Sequence, residues 1–223
     1  MKELESLNHT GFARIKKFLT DEQCTDLINN YSSDKLYRNT IDMKRYRFGE
    51  GQYRYFSYPL PNTIQKIRTS LYEPLAVIAN EWNQNLGIDI RYPKTHAEFI
   101  EVCQRNNQLR PTPLILRYGA GGYNTLHQDL YGDIYFPFQV VFMLTQKGID
   151  HEGGEFVLTE QVPRAQSIAR VVTADKGDAV IFTTNFRPVN GSRGYYRAKL
   201  KHGVSEVLSG HRYAMGIIFH DGK

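Results

Sequence analysis

The sequence is poor in cysteine. Only Cys24 and Cys103 occur in 223 residues, which excludes by count a disulfide framework and a Cys-rich zinc site. They are far apart in helix-like segments and are expected as small core residues. Long apolar runs are also missing. The longest, such as 140–144 and 216–219, have strand length, well short of the run of about 20 residues that spans a bilayer. The N-terminus, Met1-Lys-Glu-Leu-Glu-Ser, has neither an apolar core nor a cleavage signal. No internal repeat, low-complexity tract or Pro/Ser-rich linker interrupts the chain. From these absences we expect a soluble, cytoplasmic protein with no membrane partner.

What is present points to a globular chain. A hydrophobic fraction of 41% is enough for a core and excludes disorder on composition. A net charge of +5 suits an anionic cofactor or substrate, nucleic acid included, and is also common in ordinary cytosolic proteins. The length fits one domain over 1–223, a large all-β barrel or sandwich with helices attached.

The texture changes near residue 112. Residues 1–112 read as a mainly helical, polar support region, and 113–220 as a β core. The first part opens with a strand over 11–18. Thr20-Asp-Glu-Gln23 is a capping box that starts a helix with Cys24, Leu27, Ile28 and Tyr31 at helical spacing. A second helix is predicted over 61–84, kinked or split at Pro74, and a third over 95–105. The second part shows strands over 113–118, 139–145, 155–159, 170–172, 179–183, 195–207 and 212–219. They are rich in Val, Ile, Phe and Tyr and are separated by turn residues. The expected class is α+β, mainly β: a double-stranded β-helix (jelly roll, cupin-like) with N-terminal helices packed on it.

Two segments carry chemistry. In the first, His127 and Asp129 are spaced i, i+2, so an extended chain puts both on one face, where they can share a metal ion. Ferrous oxygenases bind iron through two His and one carboxylate, leaving positions open for a 2-oxo acid and dioxygen. An isolated H-x-D also occurs by chance in surface turns, so a second His and an anion clamp are needed. The second segment, 201–219, contains both as His202 and Arg212. We read Leu208-Ser-Gly210 as a three-residue hairpin loop with Gly210 left-handed. That loop pairs Val207 with His211 and Glu206 with Arg212, and sets Gly216 across from His202. His202, Val204, Glu206, Arg212, Ala214 and Gly216 then share a face. Arg212 is a permanent, bidentate partner for a carboxylate. In this register it stands about 17 Å of extended strand from His202, a gap that twist and bending must shorten.

The order H-x-D (His127, Asp129), G-G-E-F (153–156), K-G-D-A-V-I-F (176–182) and H-G-V-x-x-V-x-x-G-x-R-Y (202–213) resembles the 2-oxoglutarate/Fe(II)-dependent dioxygenase superfamily, in its prolyl-hydroxylase-like branch. The resemblance covers about half the chain. The N-terminal half is similar to a small bacterial family linked to oxidation of damaged nucleic acid. The superfamily resemblance implies His127, Asp129 and His202 as iron ligands and Arg212 as the clamp on the distal carboxylate of 2-oxoglutarate. It also implies Tyr118 as a second contact to that carboxylate, and no catalytic side chain beyond the metal centre. Residues 183–201 are longer than in many relatives and are expected to shape substrate access.

The other polar features have plainer readings. The H-E-G-G-E run at 151–155 is expected as a Gly-Gly turn with its polar residues in water. His211 should face away from Arg212, and His9, His96 and His220 should be surface or structural. Residues 43–56 hold four basic residues, one acid and five aromatics, and 187–201 hold five basic residues and no acid. Such stretches attract phosphate and stack on unpaired bases, and they equally describe a solvated charged face over an aromatic core. Three functions therefore compete. The first is oxidative demethylation of alkylated, single-stranded or damaged nucleic acid. The second is hydroxylation of a protein side chain or free amino acid. The third is a non-catalytic jelly-roll binding module.

Overall fold

The computed structural model describes residues 2–130 and 132–223. Four α-helices are present among them: α1 (Ser6–Thr10), α2 (Asp21–Asn29), α3 (Asn62–Asn85) and α4 (His96–Arg105). Four strands precede residue 112: β1 (Phe12–Ile15), β2 (Tyr37–Asp42), β3 (Gly49–Glu50) and β4 (Gln52–Phe56). Next come β5 (Leu114–Tyr118), β6 (Tyr123–His127), β7 (Phe138–Met143), β8 (His151–Gly153), β9 (Phe156–Gln161) and β10 (Ile168–Val172). The last are β11 (Ala179–Thr183), β12 (Phe186–Gly191), β13 (Gly194–Val204), β14 (Val207–Gly210) and β15 (Arg212–Ile218).

The strands form two main antiparallel sheets. The major sheet runs β1-β11-β7-β15-β5-β4-β2, and the minor sheet β10-β9-β13-β6-β3 with β12 paired to β13. A sheet covered on both faces selects near-continuous apolar runs, and β7 and β15 show it apart from Gln139 and Arg212. Val140, Phe142, Met215 and Ile217 point outward into the larger core, where α3 and α4 pack. Val141, Met143 and Ala214 point inward, where Phe156 and Leu158 of the minor sheet meet Val180 and Phe182. The inner layer is incomplete at one place, and the cleft described below occupies it.

The helices form where local signals place them. Thr20 and Thr95 each cap a helix through a reciprocal box with Gln23 and Glu98. Both cysteines are fully buried. Of the kink or split expected at Pro74, the split does not occur, and α3 is one continuous helix. A proline inside a helix costs about 3 kcal/mol. Burial of Ile64, Ile67, Leu71, Leu75, Ala79 and Trp82 along one face offsets it, at roughly 1.5–3 kcal/mol for each large side chain.

One expectation needs extension and one needs correction. Residues 1–112 are mainly helical, but they also supply strands: β1, β2 and β4 extend the major sheet and β3 extends the minor one. Short strands with alternating burial, such as β4, gave little apolar signal. The 208–210 hairpin is absent. Gly210 is left-handed, with φ 76°, yet β14 pairs with β8, while β13 and β15 belong to opposite sheets. Only the left-handed Gly210 was right, since 208–210 lie within β14; pairing was decided by the passage of the chain from one sheet to the other.

Candidate metal centre and cleft

His127 ends β6 and His202 lies in β13, directly opposite it in register. Close approach of these strands depends on Gly203: a Cβ there would stand 2.7 Å from the Asn124 carbonyl oxygen. Asp129 follows two residues after His127, so its carboxylate lies between the two rings. His127 Nε2 is 3.4 Å from Asp129 Oδ1, and His202 Nε2 is 3.3 Å from Asp129 Oδ2. One donor atom from each residue lies within 4.8 Å of the others. Adjacent ligands of an octahedral ion with bonds of about 2.1 Å stand about 3 Å apart. The three side chains therefore fit one face of such an ion with little movement.

Their surroundings set the protonation states a metal requires. His127 Nδ1 lies 2.7 Å from the Thr125 carbonyl oxygen. With the proton on Nδ1, it donates there and frees the Nε2 lone pair. The His202 ring packs at 4.6 Å from that of Phe182 and 6.1 Å from that of Phe156. Burial pushes its pKa down and favours the neutral ring. Burial opposes charge on Asp129 as well, but hydrogen bonds from both histidines hold its carboxyl well below the usual carboxylate range. For His127 burial works downward and is outweighed by the Asp129 hydrogen bond, so its pKa is raised. A metal binding here displaces that proton.

The donor set opens onto a cleft of about 260 Å³ between the sheets. Arg212 and Tyr118 occupy its far end, paired across β15 and β5. Arg212 is 2% exposed, and its guanidinium carbon sits 5.5 Å from the centroid of the Tyr118 ring. Its Nη2 reaches Met143 Sδ at 3.5 Å, and it forms no ion pair among the described residues. Gly154, with φ 68°, leaves the space it needs, since a Cβ there would stand 2.7 Å from Arg212 Cδ. The Tyr118 hydroxyl is buried without a hydrogen-bond partner among the described residues, and burial raises its pKa to about 12. A buried, unpaired cation beside an unpaired hydroxyl is a site for an anion.

His202 and Arg212 do not lie along one hairpin. They face each other across the cleft from opposite sheets, which removes the long strand path that a shared face imposed. Gly216 lines the cleft, though it pairs with Val141 and Leu114 rather than His202. His151, expected in water, is 7% exposed, with Nδ1 3.2 Å from the Gly153 carbonyl oxygen. Gly153 and Gly154, expected as a turn, are both left-handed and carry the chain from β8 to β9. His211 is exposed, while His96 and His220 are buried.

The two basic stretches are partly structural. Arg54 is buried against Asp34 and the Tyr31 carbonyl, and Arg187 makes a bidentate pair with Glu160. The remaining cations, Lys44, Arg45, Arg47, Arg193, Arg197, Lys199 and Lys201, are exposed. Residues 186–199 fold as the β12–β13 hairpin. Tyr53 and Tyr55, which belong to the aromatic 43–56 stretch, line the cleft together with Gln139, which sequence reasoning missed. A signal for Gln139 was available: it is the lone polar residue in β7.

A jelly roll that gathers two histidines and one carboxylate beside an anion pocket defines the class of non-haem iron oxygenases. Residues 51–222 match the model of a family of oxygenases described as catalysing oxidative methylation of damaged DNA. The chain belongs to that family. An uncharacterised protein of Mycobacterium tuberculosis is 43% identical over 166 residues, covering 74% of this chain and 71% of the relative. The fold is shared with a Pseudomonas putida prolyl-4-hydroxylase (TM-score 0.58, 14% identity, covering 100% of this chain and 98% of that one). It is also shared with a Trichoplax adhaerens prolyl hydroxylase solved with a peptide of hypoxia inducible factor (TM-score 0.56, 15% identity, covering 97% and 86%). No helix among the described residues is long and apolar enough to cross a membrane.

Proposed function

We propose that this oxygenase is Fe(II)- and 2-oxoglutarate-dependent and hydroxylates a C–H bond of an alkylated nucleic-acid base. One observation carries the reading: a three-donor set suited to ferrous iron shares its cleft with a buried arginine that has no carboxylate of its own. In this proposal His127, Asp129 and His202 hold the iron. Arg212 and the Tyr118 hydroxyl hold the far carboxylate of 2-oxoglutarate. When bound, the iron lets dioxygen oxidise both partners: one oxygen atom enters the substrate C–H bond and the other enters succinate, with release of carbon dioxide. The protein supplies position, a dry cleft and charge. If the oxidised carbon is an N-methyl group, the hydroxylated product loses formaldehyde, so the net reaction is demethylation. Because the first 112 residues complete both sheets, residues 1–223 act in this proposal as one catalytic unit.

Support for a nucleic-acid substrate comes from the family description, which names damaged DNA, and from the seven exposed cations of the two basic stretches. The test is aerobic turnover with iron(II) and 2-oxoglutarate on single-stranded oligonucleotides carrying methylated bases, run beside a peptide and amino-acid panel. Succinate and formaldehyde in equal amounts from an oligonucleotide are expected. No formaldehyde from any methylated strand would remove this substrate class, and a hydroxylated peptide would replace it with the protein-hydroxylase alternative.

A further inference from the structure

Gln139 has no part in the chemistry above, yet its placement calls for a partner. It lies in β7 among apolar residues, is 5% exposed and lines the cleft. Its amide nitrogen is buried without a hydrogen-bond partner among the described residues. Leaving such a donor unpaired is costly, and an apolar side chain of the same shape avoids that cost. The side chain stands across the cleft from the donor set: Gln139 pairs with Phe182, whose ring packs on His202.

In the function proposed above the 2-oxo acid is anchored at Arg212. Gln139 pairs with Ile218 on β15, six residues and about 20 Å of strand from Arg212. It therefore lies away from the anion clamp, in the part of the cleft left for the primary substrate. The walls there are aromatic. Tyr53 and Tyr55, spaced i, i+2 on β4, both line the cleft, with their rings 5.4 Å apart. Phe48 also lines it and stacks on exposed Tyr46 at 5.6 Å. A carboxamide offers a donor and an acceptor side by side. Among aromatic faces, that is the chemistry that recognises a planar heterocycle with a matching edge.

We infer that Gln139 is a specificity-determining residue that hydrogen-bonds the edge of a single unstacked nucleobase, with Tyr53 and Tyr55 bounding the ring. This rests on the function proposed above. The test is fluorescence anisotropy with manganese(II) and 2-oxoglutarate, comparing a labelled single strand that carries one N-methylated base with the same strand made abasic at that position. The native protein should prefer the base-bearing strand by about 10-fold. Gln139→Leu should cut that preference several-fold, leaving what the Tyr53 and Tyr55 faces supply, while keeping its affinity for the abasic strand, its affinity for 2-oxoglutarate and its melting temperature. An unchanged preference in Gln139→Leu would overturn the inference, as would a loss of 2-oxoglutarate affinity with the preference intact. If the native protein releases formaldehyde from the methylated strand but binds both strands equally, the function stands and this inference fails. If it binds neither strand, both fail.

Discussion

Replacing Arg212 with methionine should make the unliganded protein more stable and at the same time blind to 2-oxoglutarate. The guanidinium is 2% exposed, touches Met143 Sδ and the face of Tyr118, and has no ion-pair partner among the described residues. Methionine keeps most of the stem and removes the charge. Replacing buried charge with apolar groups of similar volume is often worth about 1–4 kcal/mol in stability. For a domain of this size, 1 kcal/mol moves the melting temperature by about 2–4 °C, so Arg212→Met should melt several degrees above the native protein. Ligand binding acts in the opposite direction. At 100 times its Kd, 2-oxoglutarate stabilises the native protein by about 2.7 kcal/mol, and Arg212→Met loses that gain. Thermal melts with manganese(II), with and without 2-oxoglutarate, read both effects without turnover. An Arg212→Met protein that melts lower than native and still rises with 2-oxoglutarate would refute the assignment of Arg212 as an anion clamp.

Two further outcomes follow from single contacts. Gly203→Ala should push β13 away from the Asn124 carbonyl and spread the histidine pair. Metal affinity should fall by about 10–100-fold while the fold persists, and a titration with manganese(II) showing unchanged affinity would exclude Gly203 as the device that sets the spacing. His96 and His220 are held near pKa 4 by burial, with repulsion from Arg68 adding to it. The unfolded chain protonates them near 6.5, so it binds the extra protons between about pH 6.5 and 4. Stability should therefore fall on acidification through that window, by about 3 kcal/mol for each histidine. Urea midpoints should show a slope shallower by about 1.4 kcal/mol per pH unit in His96→Phe between pH 6 and 5, and an identical slope in both proteins would count against a neutral, buried His96.

The candidate metal donors were legible in sequence because their signal is local. Two residues at i, i+2 share a face in any extended chain, and neither His127 nor Asp129 needs the rest of the fold to present that pair. The capping box at Thr20, the left-handed Gly210 and the apolar run of β7 are local in the same sense. Strands β2 to β4 were harder to read, because short strands at or near sheet edges bury only alternate residues and carry little apolar signal.

The sequence alone determined which residue types meet a metal and an anion, since chemistry restricts those roles to a few side chains. Only the tertiary structure decided how they meet. The register of β13 against β6, set by a glycine that lets two backbones approach, brings His202 onto the Asp129 carboxylate. The division of β13 and β15 between opposite sheets turns Arg212 from a distant neighbour along a hairpin into the far wall of the same cleft. Strand pairing is a long-range choice made by burial on both faces at once, and no window of the chain contains the partners that settle it.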